Sequence, residues 1–172
     1  GGNHFMHACR RNVDMTYIVM DNHVYGMTKG QPSPTTEPDW DSKLSPGGTG
    51  LRGFHPLVIA LAAGANFVAR AFSGDPNGTA TMIAEAIRHP GFSFVEILSP
   101  CVTFRPEQRE WKTAVRPSPV ATTSDPVRAA RRVMTDDGFN IGVLYRGDRP
   151  PFQPRAPKVR RQPSDLEGGF AL

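Results

Sequence analysis

The sequence predicts an α/β fold: a mostly parallel sheet with helices on both faces, followed by a C-terminal extension. Three observations predict it. Short, nearly continuous apolar runs (MTYIVMD, NFVARAF, FSFVEIL) alternate with stretches of helical periodicity, and Gly, Pro and polar residues separate the two kinds of segment. Strand, helix, strand, helix, strand at this spacing is the pattern of parallel strands joined by crossover helices. The length, 172 residues, suffices for one domain with a sizeable core.

The apolar positions Phe5, Met6, Ala8 and Cys9 fit a short helix closing at Arg10, Arg11 and Asn12. Residues 15–21 then read as a strand buried on both faces, because the run is almost continuously apolar. Residues 22–54 lack periodicity and are rich in Gly, Pro, Ser and Thr, so they form a long loop of the kind that is either functional or disordered. A helix restarts at Pro56, where a missing N–H costs nothing in the first turn. A strand over 66–72, a helix stopped by Pro90 and Gly91, and a strand over 92–98 follow. Residues 101–124 read as irregular, 125–134 as a helix capped by Asp125, and 139–147 as a last strand. From Asp148 the chain turns Pro- and Arg-rich, the composition of an extended or loose tail. The expected division is a cofactor domain over 1–100 and an extension over 101–165 with a partly loose end.

Formal charge is +4, but the excess gathers in the last third, at Arg128, Arg131, Arg132, Arg155, Lys158, Arg160 and Arg161. Few aromatics interleave with these residues, so they read as solvated charge and not as a nucleic-acid groove. The longest apolar stretch, LVIALAAGA, is too short to cross a bilayer. Two cysteines without a secretory leader point to a reducing, cytoplasmic setting. The chain opens on Gly1 and Gly2 and runs directly into helical pattern, which reads as part of a longer protein.

In open α/β sheets ligands gather beyond the carboxyl ends of the strands. Asp21 and Asn22 occupy such an end, and the loop DNHVYGMTKGQ follows at once. The neutral oxygen of Asn22 suits Mg²⁺, which takes one or two protein ligands together with phosphate oxygens. Gly26 and Gly30 allow close backbone approach, Thr28 and Gln31 can donate to phosphate, and Lys29 adds positive charge. The same residues also suit a plain Asx-turn after a strand.

These residues carry a resemblance. The ordered motifs Gly-Gly-Asn-His, Arg-Arg-Asn, Asn-x-x-Tyr-Gly-Met-Thr-x-Gly-Gln and Ser-Pro-Thr, with VEILSPC downstream, resemble the thiamine-diphosphate domain in the β subunit of 2-oxoacid:ferredoxin oxidoreductases. The likeness runs to about residue 150. It implies that Asn22 and the backbone oxygen of Val24 ligate the Mg²⁺ holding the diphosphate. It also implies that Gly2, Asn3, His4, Gly26, Thr28 and Gln31 surround the cofactor, and that Cys101 is one ligand of a 4Fe–4S cluster. The other ligands in that family, a Gly-Asp-Gly aspartate and further cysteines, lie upstream of Gly1. Cys9 reads as core packing, and His7 as structural.

The implied reaction is oxidative decarboxylation of a 2-oxoacid, with thiamine diphosphate as electron sink. Electrons pass through the cluster to ferredoxin, and coenzyme A takes the acyl group. An α subunit supplies the pyrimidine-side domain, including its activating carboxylate, and the loop with Trp40 and SPGGTGLRG orders on assembly. Lys29 resembles the members acting on 2-oxoglutarate, whose distal carboxylate needs a paired cation once buried. The alternatives are a relative specific for pyruvate or another 2-oxoacid, and a partial subunit that only binds α. The charges after Cys101 read as solvated surface rather than a ferredoxin dock.

Overall fold

The computed structural model describes residues 2–154. Its elements are α1 (Gly2–Arg11), β1 (Met15–Asp21), α2 (Pro56–Ala62), β2 (Phe67–Phe72), α3 (Pro76–Arg88), β3 (Phe92–Leu98), a 3₁₀ turn (Pro106–Glu110), α4 (Trp111–Ala114), β4 (Arg116–Pro117), α5 (Pro126–Thr135) and β5 (Asn140–Arg146). The five strands form one sheet in the order β1-β3-β2-β5-β4. The β1–β3, β3–β2 and β5–β4 pairs are parallel; β5 runs antiparallel to β2. Helices α1, α2 and α5 cover one face through Phe5, Leu57, Leu61, Phe94, Val133 and Leu144. Helix α3 covers the other through Ala86 and Met82 against Phe67, Val95 and Ile97. The mostly parallel sheet with helices on both faces is thus present.

The local signals act as their chemistry predicts. Pro56 opens α2, and the Asp125 carboxylate accepts the N–H groups of Val127 and Arg128 at the start of α5. Residues 22–54 contain no helix or named strand.

Three expectations need correction. β1 is an edge strand and is not buried on both faces: Met15, Tyr17, Ile18 and Met20 are exposed, Met20 to 66%. The central strands β2 and β3 are buried throughout, because each has a strand on either side and helices above and below. β1 has a strand on one side only among the described residues, so its apolar run reports what the strand can pack against, not what this chain packs there. Residues 101–124, expected to be irregular, hold the 3₁₀ turn, α4 and β4, with Trp111 buried against Phe72 and Leu98. Finally, the chain just past Asp148 is tied down. The Asn12 amide donates to the carbonyls of Arg149 and Pro150, the Phe152 N–H bonds the Asn12 carbonyl, and the Arg149 guanidinium reaches the carbonyls of Cys9 and Gly64. Asn12 lies buried, and its Oδ1 also accepts the Phe92 N–H. The basic positions Arg155, Lys158, Arg160 and Arg161 lie outside the described residues.

One feature of the sheet was not foreseen. Arg70 and Glu96 face each other in register across β2 and β3 with a 2.8 Å contact, and Asp136 lies 3.4 Å from the same guanidinium. This charged group lines a cavity of about 430 Å³ near the carboxyl ends of the strands, together with Asp21 and His23.

Candidate functional site

The carboxyl end of β1 and the amino end of α1 open on one cleft of about 330 Å³, lined by Gly2, Tyr17, Asp21, Asn22, Val24, Tyr25 and Thr35 among others. Asn22 is half-buried, and its Oδ1 accepts the Val24 N–H at 3.1 Å, so the Asx-turn is present. An amide oxygen has a second lone pair, so the turn does not use up its capacity as an acceptor. Val24 is buried beside it. The chain then folds back tightly: the Tyr25 N–H bonds the Gln31 carbonyl, the Gly30 N–H bonds the Tyr25 carbonyl, and the Thr28 hydroxyl bonds the Gln31 side chain. Lys29 and Gly30 both adopt positive φ, 76° and 96°, to close this turn.

Cys101 follows β3 and reaches the same loop. A methyl group at Gly26 would sit 3.1 Å from the Cys101 sulfur and 3.8 Å from the Asn22 amide nitrogen. Glycine at this position therefore lets thiol and amide approach one backbone segment. The structure brings together Gly2, Asn22, Val24, Gly26 and Cys101. Asn3 and His4 are exposed on the first turn of α1, and Thr28 and Gln31 are exposed on the turn, bonded to each other. Lys29 points elsewhere, into a separate cleft with Trp40, Lys43, Phe104 and Glu107. Cys9 is fully buried in the core, where burial pushes its thiol up to about 12, as suits a packing residue. His7 is exposed.

Reading along the sequence missed a second layer that holds these pieces in place. His23 adopts a φ of 54°, and its Nδ1 lies 2.9 Å from Glu37 while its ring packs edge-on against Trp111. Buried Arg105 bonds Glu37 at 2.6 Å and the His23 carbonyl at 3.3 Å, and stacks over Trp40. Buried Gln108 bonds the Asn22 carbonyl. Arg105 and Gln108 lie 68 to 86 residues from these hydrogen-bond partners, so no local pattern announces them. The one available signal was the isolated PEQRE segment following Cys101.

Burial alone would raise the Glu37 pKa, but the hydrogen bonds from His23 and Arg105 outweigh it and hold the carboxyl near 2. For His23, burial acts to lower the pKa, and the Glu37 hydrogen bond with the Asp21 and Glu37 charges raises it instead. The folded-state value of Glu37 lies below its ordinary 4.5, so its contribution to stability is present above pH 4.5 and is lost as pH falls toward about 2. Denaturation midpoints should therefore drop across that window, and Glu37→Gln should flatten part of the drop. An acid limb unchanged in Glu37→Gln would rule out this clasp.

The fit to a divalent ion rests on the donor set. Among the described residues no three His, Cys, Asp or Glu side chains gather as a metal site. What this chain offers is two neutral oxygens, from Asn22 and the Val24 backbone. That is a small share of a Mg²⁺ shell completed by phosphate, and it fits. Toward an iron–sulfur cluster the chain offers one thiolate, Cys101, because its other cysteine is in the core.

Strand-end oxygens converging on one cleft of an open, mostly parallel sheet define an α/β cofactor domain. The chain belongs to the thiamine pyrophosphate enzyme family and matches its C-terminal TPP binding domain over residues 1–97. Within it, the chain resembles β subunits of 2-oxoacid:ferredoxin oxidoreductases, as the motifs implied. It is 48% identical over 103 residues to the 2-oxoglutarate synthase subunit KorB of Archaeoglobus fulgidus, covering 60% of this chain and 39% of that one. It is 44% identical over 104 residues to the 2-oxoglutarate oxidoreductase subunit KorB of Mycobacterium tuberculosis, covering 60% of this chain and 28% of that one. Among solved structures it is similar to the 2-oxoglutarate:ferredoxin oxidoreductase of Magnetococcus marinus with 2-oxoglutarate, coenzyme A and succinyl-CoA bound. The TM-score there is 0.81 at 37% identity, covering 88% of this chain and 54% of that one. The chain thus spans well under two thirds of the length of these relatives. Among the described residues no helix is long and apolar enough to cross a membrane.

Proposed function

We propose that this chain is the part of a 2-oxoacid:ferredoxin oxidoreductase β subunit that holds Mg²⁺ and thiamine diphosphate and gives one ligand to a 4Fe–4S cluster. The enzyme's reaction would be the coenzyme A-dependent oxidative decarboxylation of 2-oxoglutarate, with ferredoxin as electron acceptor and an α subunit completing the site. The observation that carries this reading is the convergence of Gly2, Asn22 and Val24 on one cleft, with the Cys101 sulfur packed against Gly26 on the same loop.

When bound, thiamine diphosphate supplies the electron sink for loss of CO₂. This chain's residues then bind and orient. The Asn22 and Val24 oxygens would hold the metal, and the tight turn over 25–31 holds its own shape through the Thr28–Gln31 bond. Cys101, beside that loop, would hold the cluster near the cofactor. Asn3 and His4, on the exposed first turn of α1, would form the rim on the α-subunit side. The preference for 2-oxoglutarate is supported by the similar KorB subunits and the Magnetococcus enzyme, and less by Lys29, which opens away from the Asn22 cleft. A substrate role for Lys29 requires a site completed across the subunit boundary.

The test is Asn22→Leu in the assembled enzyme, with binding read by titration calorimetry. Losing a metal-ligating oxygen should weaken Mg²⁺-dependent binding of thiamine diphosphate by at least about tenfold. Unchanged affinity would overturn the assignment.

A further inference from the structure

We propose that Gln108 is a positioning residue that locks the cofactor loop and the cluster cysteine to each other; this deepens the function proposed above and rests on it. Gln108 is 1% exposed. Its Nε2 donates to the Asn22 carbonyl at 2.8 Å, and its Oε1 accepts the Cys101 N–H at 2.7 Å. A single buried amide thus spans the backbones of the two residues that carry the proposed metal oxygen and the proposed cluster thiolate. Both ends of the amide are engaged by the two backbones, so Gln108 ties the spacing between the two segments.

The turn that carries Gln108 is itself anchored. The Arg105 N–H bonds the Cys101 carbonyl, and the Arg105 guanidinium reaches the His23 carbonyl and Glu37. Gly26 leaves the gap in which the Cys101 sulfur meets the loop, and Gln108 keeps that gap at fixed width. A second consequence concerns the cluster alone. Hydrogen bonds to the ligating sulfurs are among the factors that set a cluster's potential. Gln108 engages the Cys101 N–H and so withholds that donor from sulfur.

The experiment uses the assembled enzyme, with Gln108→Met as the main variant, because it keeps volume but removes donor and acceptor. Two readouts are taken: the EPR spectrum and midpoint potential of the reduced cluster, and the Kd for thiamine diphosphate with Mg²⁺. The expected result is a shifted spectrum and potential together with a Kd raised about fivefold or more. A change confined to one readout, or absent from both, overturns the coupling. If Gln108→Met does not fold, Gln108→Asn carries the test. It keeps the amide but, one methylene shorter, cannot span both backbones, so the Kd should rise about fivefold and the EPR spectrum should shift with it. An unchanged Kd there overturns the proposal. An unaltered enzyme that shows no cluster signal and no cofactor binding would instead overturn the function proposed above, and this inference with it.

Discussion

Cys101→Ala should abolish ferredoxin reduction by the assembled enzyme while leaving thiamine diphosphate bound. A 4Fe–4S cluster is normally held by four thiolates, and the ligand must be a soft, deprotonated sulfur that neither alanine nor serine can replace in kind. This chain contains two cysteines, and Cys9 is buried in the core, so no other thiol of this chain can substitute. The fold should survive. The Cys101 side chain is half-buried at the head of a loop, and its backbone is held independently by Gln108 and by the Arg105 N–H. The measurement is the EPR signal of the reduced enzyme alongside a calorimetric Kd for the cofactor. A full cluster signal in Cys101→Ala would remove the cysteine from the electron path. Loss of cofactor binding as well would mean that the thiol serves packing around Gly26.

Arg70→Leu should destabilise the fold strongly, by about 3–5 kcal/mol. Arg70 and Glu96 lie 6% and 4% exposed on the two central strands, so removing the guanidinium takes from Glu96 and Asp136 the cation that both contact. A buried carboxylate without its partner keeps the cost of leaving water and loses the attraction that offset it. The double change Arg70→Leu with Glu96→Leu should recover most of the loss, because two apolar side chains of suitable volume bury there without charge. Urea denaturation of all three proteins gives the comparison. A single mutant within about 1 kcal/mol of the parent would show that water entering the adjoining cavity already solvates Glu96. The pair does more than hold the sheet: it lines the same cavity as Asp21 and His23, so its loss should also loosen the carboxyl end of β1.

Where the sequence was readable, the reason was local. The helix over 2–11, the strands over 67–72 and 92–98 and the capped helix at Asp125 each depend on periodicity or on side chains within a few residues. The cofactor loop was readable for the same reason, since Asn22, Val24, Gly26 and Gly30 sit within one turn and its closure. Exposure of β1 was not readable, because burial of a strand's faces depends on what lies beside it. Nor was the order within 101–124, where short elements form against Trp111 and Phe139 and not through their own propensity. Lys29 shows the limit from the other side. It sits in the right motif, yet a left-handed turn directs it into a different cleft from Asn22.

By itself the sequence determined the fold class, the strand end that carries the candidate metal oxygen, and the family likeness, all of which are encoded over short separations. The tertiary structure alone decided that Cys101 meets Gly26, that His23, Glu37 and Arg105 clasp the long loop, and that one glutamine joins the two candidate ligand segments. The physical reason is distance along the chain. Periodicity and capping act over a few residues, whereas a buried hydrogen bond or ion pair exists only once folding has brought its two distant partners together and removed the water between them.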